Sequence, residues 1–426
     1  MTTSGAPLPP DLLSDNATVG DDGQLVIGGC DTLELAAEFG TPVFVYDEDH
    51  LRARCREAVA AFGPGVAYAT KAFLCRAMAE LVHEEGMHLD VATGGELHIA
   101  LAAGVPATSL VMHGNNKSEA ELAQALEVGV ARIVVDSDQE IDRIEALVEA
   151  GAPRPTVLVR VTPGVEAHTH EFVMTGQDDS KFGFGLRSGA AAAAVDRLRS
   201  SPAVDLVGLH AHIGSQVFVA DFFHQAVDVM APFVVEQALP ELSIGGGLGV
   251  PYIAGEEAPS ITEWGGAVID ACRNAGIEAT VTGEPGRAIA AAAAVTLYTV
   301  GTIKDLPDIR TFVSVDGGMS DNPRPVLYGS GYETFLPRAV EAQRPRTIRL
   351  VGKHCESGDL LVREGQVPAD LAVGDVLATP VTGAYGHSMG SNYNKVLRPP
   401  VVFAKDGDAR LVVRRETADD LLRLDV

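Results

Sequence analysis

The stretch RIVVDSDQEIDRIEALVEAGAPRPTVLVRVT, residues 132–162, decides the fold class. It opens on a β-branched run, passes through helical periodicity over Asp138–Ala150, and closes on a second β-branched run at 156–162. Strand, helix and strand in that order make the unit of a parallel sheet covered by helices, because parallel neighbours need a crossover connection. The same alternation runs outward in both directions. VAYAT (66–70), HLDVAT (88–93) and LVMHG (110–114) precede it, and LVGLHAHIG (206–214), LSIGG (242–246) and ATVTGEP (279–285) follow. Helical stretches at Ala72–Glu85, Gly94–Ala103, Lys117–Leu126, Gly189–Ser200, Phe222–Val235 and Ile261–Asn274 lie between them. Eight such units predict a closed (β/α)8 barrel of the TIM type. An open doubly wound sheet would call for a GxGxxG turn after its first strand, and none follows residue 70.

Beyond Arg287 the rhythm changes. AVTLYTVGTIKDL, TFVSVDGG, RTIRLVGKHC, GDVLATPVTG, PPVVFAK and ARLVVRRE are strand-like runs separated by Gly, Asp and Pro. They predict a C-terminal all-β domain, which also takes in the early strand TPVFVYD (41–47). The expected division is an N-terminal arm with the first elements of the β domain at 1–40, the barrel at 41–287, the β domain at 288–416 and a short amphipathic helix at 417–426.

Composition narrows the partners. A net charge of −26 repels nucleic acid and anionic lipid, so neither is expected as a partner. No apolar run is long enough to span a bilayer, and the opening MTTSGAPLPPDLL lacks the basic and apolar parts of a secretory signal. Cys30, Cys55, Cys75, Cys272 and Cys355 are odd in number, scattered and without a CxxC pair, which points to a reducing cytoplasm.

In such a barrel, chemistry collects at the C-terminal ends of the strands. The first strand ends on Lys71, a lysine able to form a Schiff base with an aldehyde. The seventh ends Gly245-Gly246-Gly247-Leu248-Gly249 and the eighth Gly283-Glu284-Pro285-Gly286-Arg287. The loops after strands seven and eight are the recurrent phosphate site of these barrels, and glycines let backbone N–H groups approach phosphate oxygens. A lysine at one rim and a phosphate cradle at the opposite rim describe a pocket for pyridoxal 5'-phosphate. Glu284 would keep the pyridine nitrogen protonated. On the sixth strand His212 is placed to stack on the ring and Ser215 to bond the phosphate, with His210 a satisfied core residue. The HxH pairs His210/His212 and His168/His170 offer a rival reading, a metal-dependent barrel hydrolase, but glycines occupy the strand ends where further ligands would be needed. Cys355, in the polar turn His354–Asp359, is an accessible thiol suited to proton donation. Arg324, Tyr328 and Tyr385 lie in glycine- and proline-rich loops. The long segment 164–186 is read as a lid.

Taken together, YATKA (68–72), HGNNKSEAEL (113–122), KFGFG (181–185), HAHIGSQ (210–216), GGGLG (245–249), GEPGR (283–287), DGGMSDNPRPVLYG (316–329), HCESGD (354–359) and GAYGHSMGSNYN (383–394) resemble the fold-type III pyridoxal-phosphate decarboxylases, and within them the diaminopimelate decarboxylases. The resemblance implies decarboxylation of meso-2,6-diaminopimelate to L-lysine by a homodimer with shared active sites. It implies that Lys71 carries the cofactor and that His212, Ser215, Gly246, Gly247, Glu284, Pro285, Gly286, Arg287 and Tyr385 bind it. Arg287, Arg324, Tyr328 and Tyr385 would bind substrate, with Glu356 facing its distal ammonium. Cys355, delivered with Glu356 by a second subunit, would be the catalytic acid. A sibling decarboxylase of ornithine, arginine or carboxynorspermidine is the nearest alternative, and a non-enzymatic regulator that binds the cofactor is a third.

Overall fold

The computed structural model describes residues 5–164, 179–212, 214–218 and 220–426. The chain forms two compact units. One comprises Arg54–Gly249 and Ala258–Ala288; the other runs up to Ala53 and adds Val250–Glu257 and Ile289–Val426.

The first unit is the barrel. Its eight parallel strands are Ala67–Ala69, His88–Val91, Leu110–Met112, Arg132–Val135, Thr156–Thr162, Asp205–Ala211, Glu241–Ser243 and Thr280–Thr282, each hydrogen-bonded to the next in chain order. The ring closes where Ala67 N donates to Gly283 O (3.1 Å) and Ala69 N to Pro285 O (3.4 Å). Six of the eight strands fall within the runs read from sequence and two, Asp205–Ala211 and Glu241–Ser243, begin one residue earlier, because buried parallel strands need continuous apolar segments. Val111, Val134 and Leu158 from three successive strands pack as one apolar cluster against Val207. Four of the turns into the barrel helices end on hydroxyl caps. Thr93, Ser118, Ser137 and Ser260 accept from the backbone N–H of Glu96, Glu121, Glu140 and Glu263 respectively. Such caps satisfy donors that the first helical turn leaves unpaired.

The second unit is built on one sheet in the strand order Leu360–Val367, Arg346–Val351, Arg310–Val315, Ala294–Leu306, Val43–Asp47, Val401–Lys405, Asp408–Val413, with Val376–Thr379 also paired to Ala294–Leu306. Val43–Asp47 is buried along its whole length. It sits between Ala294–Leu306, antiparallel, and Val401–Lys405, parallel. A strand that precedes the barrel is therefore central to the sheet that follows it. Several elements are absent from the sequence reading, among them two helices, one strand of the second unit's main sheet and the short helix Arg324–Tyr328, which was read as loop. The helix Thr32–Phe39 is only eight residues long, and Glu48–Phe62 is dense in charge, which blurs its apolar stripe. Leu360–Val367 is interrupted by exposed Arg363 and Glu364. Among the described residues no helix is long and apolar enough to cross a membrane.

Candidate active site

Each barrel strand delivers a polar group to its C-terminal end. The first gives Lys71, exposed in the short 3-10 turn Thr70–Ala72, with buried Thr70 donating to Asp90 O (2.7 Å). The second gives Asp90, and the third His113, immediately after Met112. The fourth and fifth give Asp136 and Arg160, a buried pair at 3.5 Å whose carboxylate also accepts from Gly183 N. Arg160 stacks over Phe182 at 4.3 Å. The sixth gives His210 and His212, the seventh Ser243, and the eighth is followed by Glu284.

Glu284 is the centre of the arrangement. Its carboxylate is buried. It accepts from Ser243 Oγ at 2.7 Å and from His210 Nε2 at 3.0 Å, and His113 Nε2 stands 3.5 Å away. Burial alone would raise its pKa, but His210, His113 and the two donated bonds hold it well below the usual carboxylate range. Asp90 moves the other way: burial, with the Glu284 charge nearby, pushes it well above that range, and Lys71 only partly draws it back. Burial lowers His113 well below the ordinary imidazole value, so at neutral pH it is uncharged.

The predicted glycine turns lie against one another. A side chain at Gly245 would strike Ala211 O and His212, one at Gly246 would strike Glu284 O, and one at Gly247 would strike Gly214 O. Gly245 and Gly247 also have φ of +67° and +112°, a region that side chains rarely adopt. Arg287 donates to Ser215 Oγ at 2.9 Å, joining the sixth-strand turn to the eighth. A Cβ at Gly286 would lie 2.9 Å from Ala69 Cβ, and Pro285 O accepts from Ala69 N. Lys71 and the last glycine turn are thus neighbours. The opposite-rim picture drawn from sequence is corrected by ring closure, which sets strand eight beside strand one.

The histidine pair on the sixth strand splits. His210 pairs with Glu284, while His212 Nδ1 accepts from Gly246 N at 3.2 Å, which fixes the imidazole orientation and leaves its proton on Nε2. Burial and the Lys71 and Arg160 cations hold His212 well below its ordinary pKa. His168 and His170, Ile213 and most of the expected lid at 164–186 lie outside the described residues.

In the other unit, Arg324 is 5% exposed, donates to Tyr332 Oη at 2.6 Å and lies over the Tyr252 ring at 4.1 Å. Arg324 opens and Tyr328 ends a short helix, Arg324–Tyr328, where Tyr328 is half-buried. Tyr385 is half-buried too and holds a φ of +60°. Cys355 and Glu356 are exposed. Their turn is clamped by Asp359, which accepts from His354 N (2.8 Å) and Met319 N (2.7 Å), while Asn394 accepts from Cys355 N (3.0 Å). Glu356 accepts from Tyr393 Oη at 3.3 Å. Cys355 is the exposed one of five free cysteines.

Asp90, His113, Arg160 and Ser243 were not singled out from sequence. Their only signal is position at a strand end, and HGNNKS had already marked the neighbourhood of His113.

Whether pyridoxal phosphate suits the barrel residues can be judged from the donor set. A lysine, a glycine cradle closed to side chains and a buried ionised carboxylate answer its aldehyde, phosphate and ring nitrogen in turn. The fit is good. Comparison with known proteins agrees. Residues 48–291 match the family model described as pyridoxal-dependent decarboxylase, pyridoxal binding domain. The chain is 48% identical to diaminopimelate decarboxylase of Mycobacterium tuberculosis, covering 98% of both chains. It is 44% identical to that of Bacillus subtilis, covering 95% of both. The crystal structure of diaminopimelate decarboxylase from M. jannaschii in complex with L-lysine superposes with a TM-score of 0.90 at 31% identity, covering 97% of this chain and 98% of that one. On its sequence, its barrel and its relatives, the chain belongs to the pyridoxal-dependent decarboxylases, among the diaminopimelate decarboxylases.

Proposed function

We propose that the chain decarboxylates meso-2,6-diaminopimelate to L-lysine and CO2, the closing step of lysine synthesis. The observation that carries this reading is Glu284, buried and ionised at the end of the eighth strand and flanked by the glycine turn that packs against the Lys71 turn. Pyridoxal phosphate supplies an aldehyde for amines and a ring that accepts the electrons released as CO2 leaves. Lys71 would hold the cofactor through its Nζ. Ser215, Gly246, Gly247 and the Glu284–Arg287 turn hold the phosphate and the ring, with Pro285 and Gly286 shaping that turn and Tyr385 reaching the same ligand. Glu284 would hold a proton at the ring nitrogen, and His212 would pack beside the ring.

Substrate choice rests on the distal end. Arg324, Arg287 and Tyr328 bind the distal carboxylate and Glu356 the distal ammonium. A diamine-forming decarboxylase has no distal carboxylate to read. A buried guanidinium whose described neighbours include two tyrosine rings favours an anionic group over the aminopropyl end of ornithine. Cys355 Sγ returns a proton to the carbon that lost CO2. Its exposure, with that of Glu356, supports the reading that this turn serves the barrel of a second copy in a homodimer. The setting is the cytoplasm, where the five free thiols remain reduced.

The test is incubation of the cofactor-loaded protein with meso-diaminopimelate, ornithine and arginine in parallel. Equal amounts of CO2 and L-lysine from the first, with little from the others, are expected. CO2 from ornithine and none from diaminopimelate would overturn the substrate assignment.

A further inference from the structure

Around Glu284 stands a set of buried groups that the reaction as described does not call on. His113, His210 and Glu284 place polar atoms within 4.8 Å of one another. The two imidazoles meet edge to face with centroids 4.9 Å apart. His113 Nε2 lies between two carboxylates, 3.5 Å from Glu284 Oε1 and 3.6 Å from Asp90 Oδ1. The third strand's turn is itself anchored. Gly114, at φ +117°, directs its carbonyl to Lys117 Nζ (2.6 Å), and buried Lys117 pairs with buried Glu140 at 2.8 Å. Filling this layer with aliphatic side chains would avoid the desolvation of two acids and two imidazoles. An ionised carboxylate only accepts, so the proton of the His210–Glu284 bond sits on His210 Nε2.

We propose that His210 and His113 are positioning residues for the decarboxylation: His210 with Ser243 fixes the Glu284 carboxylate in one orientation, and His113, 3.5 Å from Glu284 and 3.6 Å from Asp90, packs between the two acids on the Lys71 side of the barrel. The inference rests on the reading of Glu284 as the partner of the ring nitrogen. Two oxygens held by donors on strands six and seven cannot rotate, so the carboxylate is set before any cofactor arrives. The charged and titratable groups facing the cluster are Lys71, Glu96 and Arg160 toward Asp90; Arg160 and Lys117 toward His113; and His212 beside His210.

The experiment compares His210→Leu, His210→Gln, His113→Asn, Glu284→Gln and the double variant Glu284→Gln/His210→Leu. Three quantities are read: kcat and KM for diaminopimelate, cofactor affinity, and the pH dependence of the bound cofactor's visible absorbance. His210→Leu is expected to lower kcat about 10- to 100-fold, the worth of one hydrogen bond to a buried charge, with KM little changed. It should also weaken cofactor binding and move the pH at which the absorbance changes. His210→Gln, which retains an N–H donor, should restore most of each, and His113→Asn should give a smaller loss of the same kind. If His210 acts through Glu284, the double variant is no worse than Glu284→Gln alone. Independent losses that multiply in the double variant, or an unchanged absorbance profile in His210→Leu, would overturn the inference. Glu284→Gln separates the two readings. If it leaves turnover and absorbance intact, the assignment of Glu284 fails; if it damages both while the histidine variants are silent, only the positioning role fails. Should His210→Leu not fold, as judged by melting of the cofactor-free protein, Ser243→Ala removes another Glu284 donor and carries the same comparison.

Discussion

At the mouth of the barrel Asp90, His113, His210 and Glu284 are all buried, whereas in the turn His354–Asp359 of the β unit Cys355 and Glu356 face solvent and only the flanking His354 and Asp359 are buried. Both regions hold their geometry through donated hydrogen bonds to a carboxylate. In the first, that carboxylate is the group proposed to meet the cofactor ring. In the second, Asp359 is scaffolding that presents a neighbouring thiol and acid outward. A group that would act on a captive cofactor can be set by its own unit's packing. A group acting on something that comes and goes must be held by the backbone and left open.

Lys71→Ala should remove the visible absorbance of bound cofactor and lower turnover by roughly 10³-fold or more, since no other amine replaces it. Steady-state assay and a spectrum check both. Cys355→Ala should leave the absorbance and cofactor affinity intact and lower kcat by about 10²- to 10⁴-fold, the range for loss of a positioned acid. Mixing these two inactive variants tests the shared site. Random pairing should restore about a quarter of wild-type activity if each site draws on both copies, and none if it does not. Arg324→Leu should cost about 2–5 kcal/mol in transition-state binding, seen as kcat/KM for diaminopimelate. Tyr332→Phe, losing one 2.6 Å hydrogen bond to that guanidinium, should cost less.

Stability sharpens the contrast from the other side. Lys117→Ala strands Glu140 in the barrel and should cost about 3–5 kcal/mol in denaturant unfolding. The smallest effect concerns Asp321 in the β unit, whose pKa burial raises to about 7. A carboxyl that binds its proton more tightly when folded stabilises fully below its unfolded pKa, and that contribution is lost as pH rises toward 7. Asp321→Asn should therefore gain in melting temperature over the parent as pH rises from 5 to 8. A constant difference across that range would contradict the assignment.

Much of the barrel was legible because its strands are short apolar runs fenced by amphipathic helices, and the two glycine turns because they fall at the strand ends where phosphate sites recur. Lys71, Glu284 and His212 were legible as residue types at those ends. Asp90, His113, Arg160 and Ser243 were not, since each stands alone in its own strand–helix unit and meets the others only when the ring closes. The adjacency of Lys71 to Gly286 was hidden for the same reason: about 215 residues of chain separate them, and only the Ala67–Gly283 and Ala69–Pro285 bonds bring them side by side. In the β unit, the pairing of Val43–Asp47 with two strands far downstream has no local signature beyond its apolar composition.

That last pairing has a consequence for biosynthesis. The segment VFVYD leaves the ribosome early, yet its antiparallel partner begins at Ala294, so at ordinary elongation speeds it waits roughly 10–50 seconds with its amide edges unmatched. During that wait a greasy extended ribbon is open to any other nascent chain with a free edge. A truncation that stops after the barrel would leave it orphaned for good, and insoluble product is the outcome to look for when the N-terminal 290 residues are expressed alone.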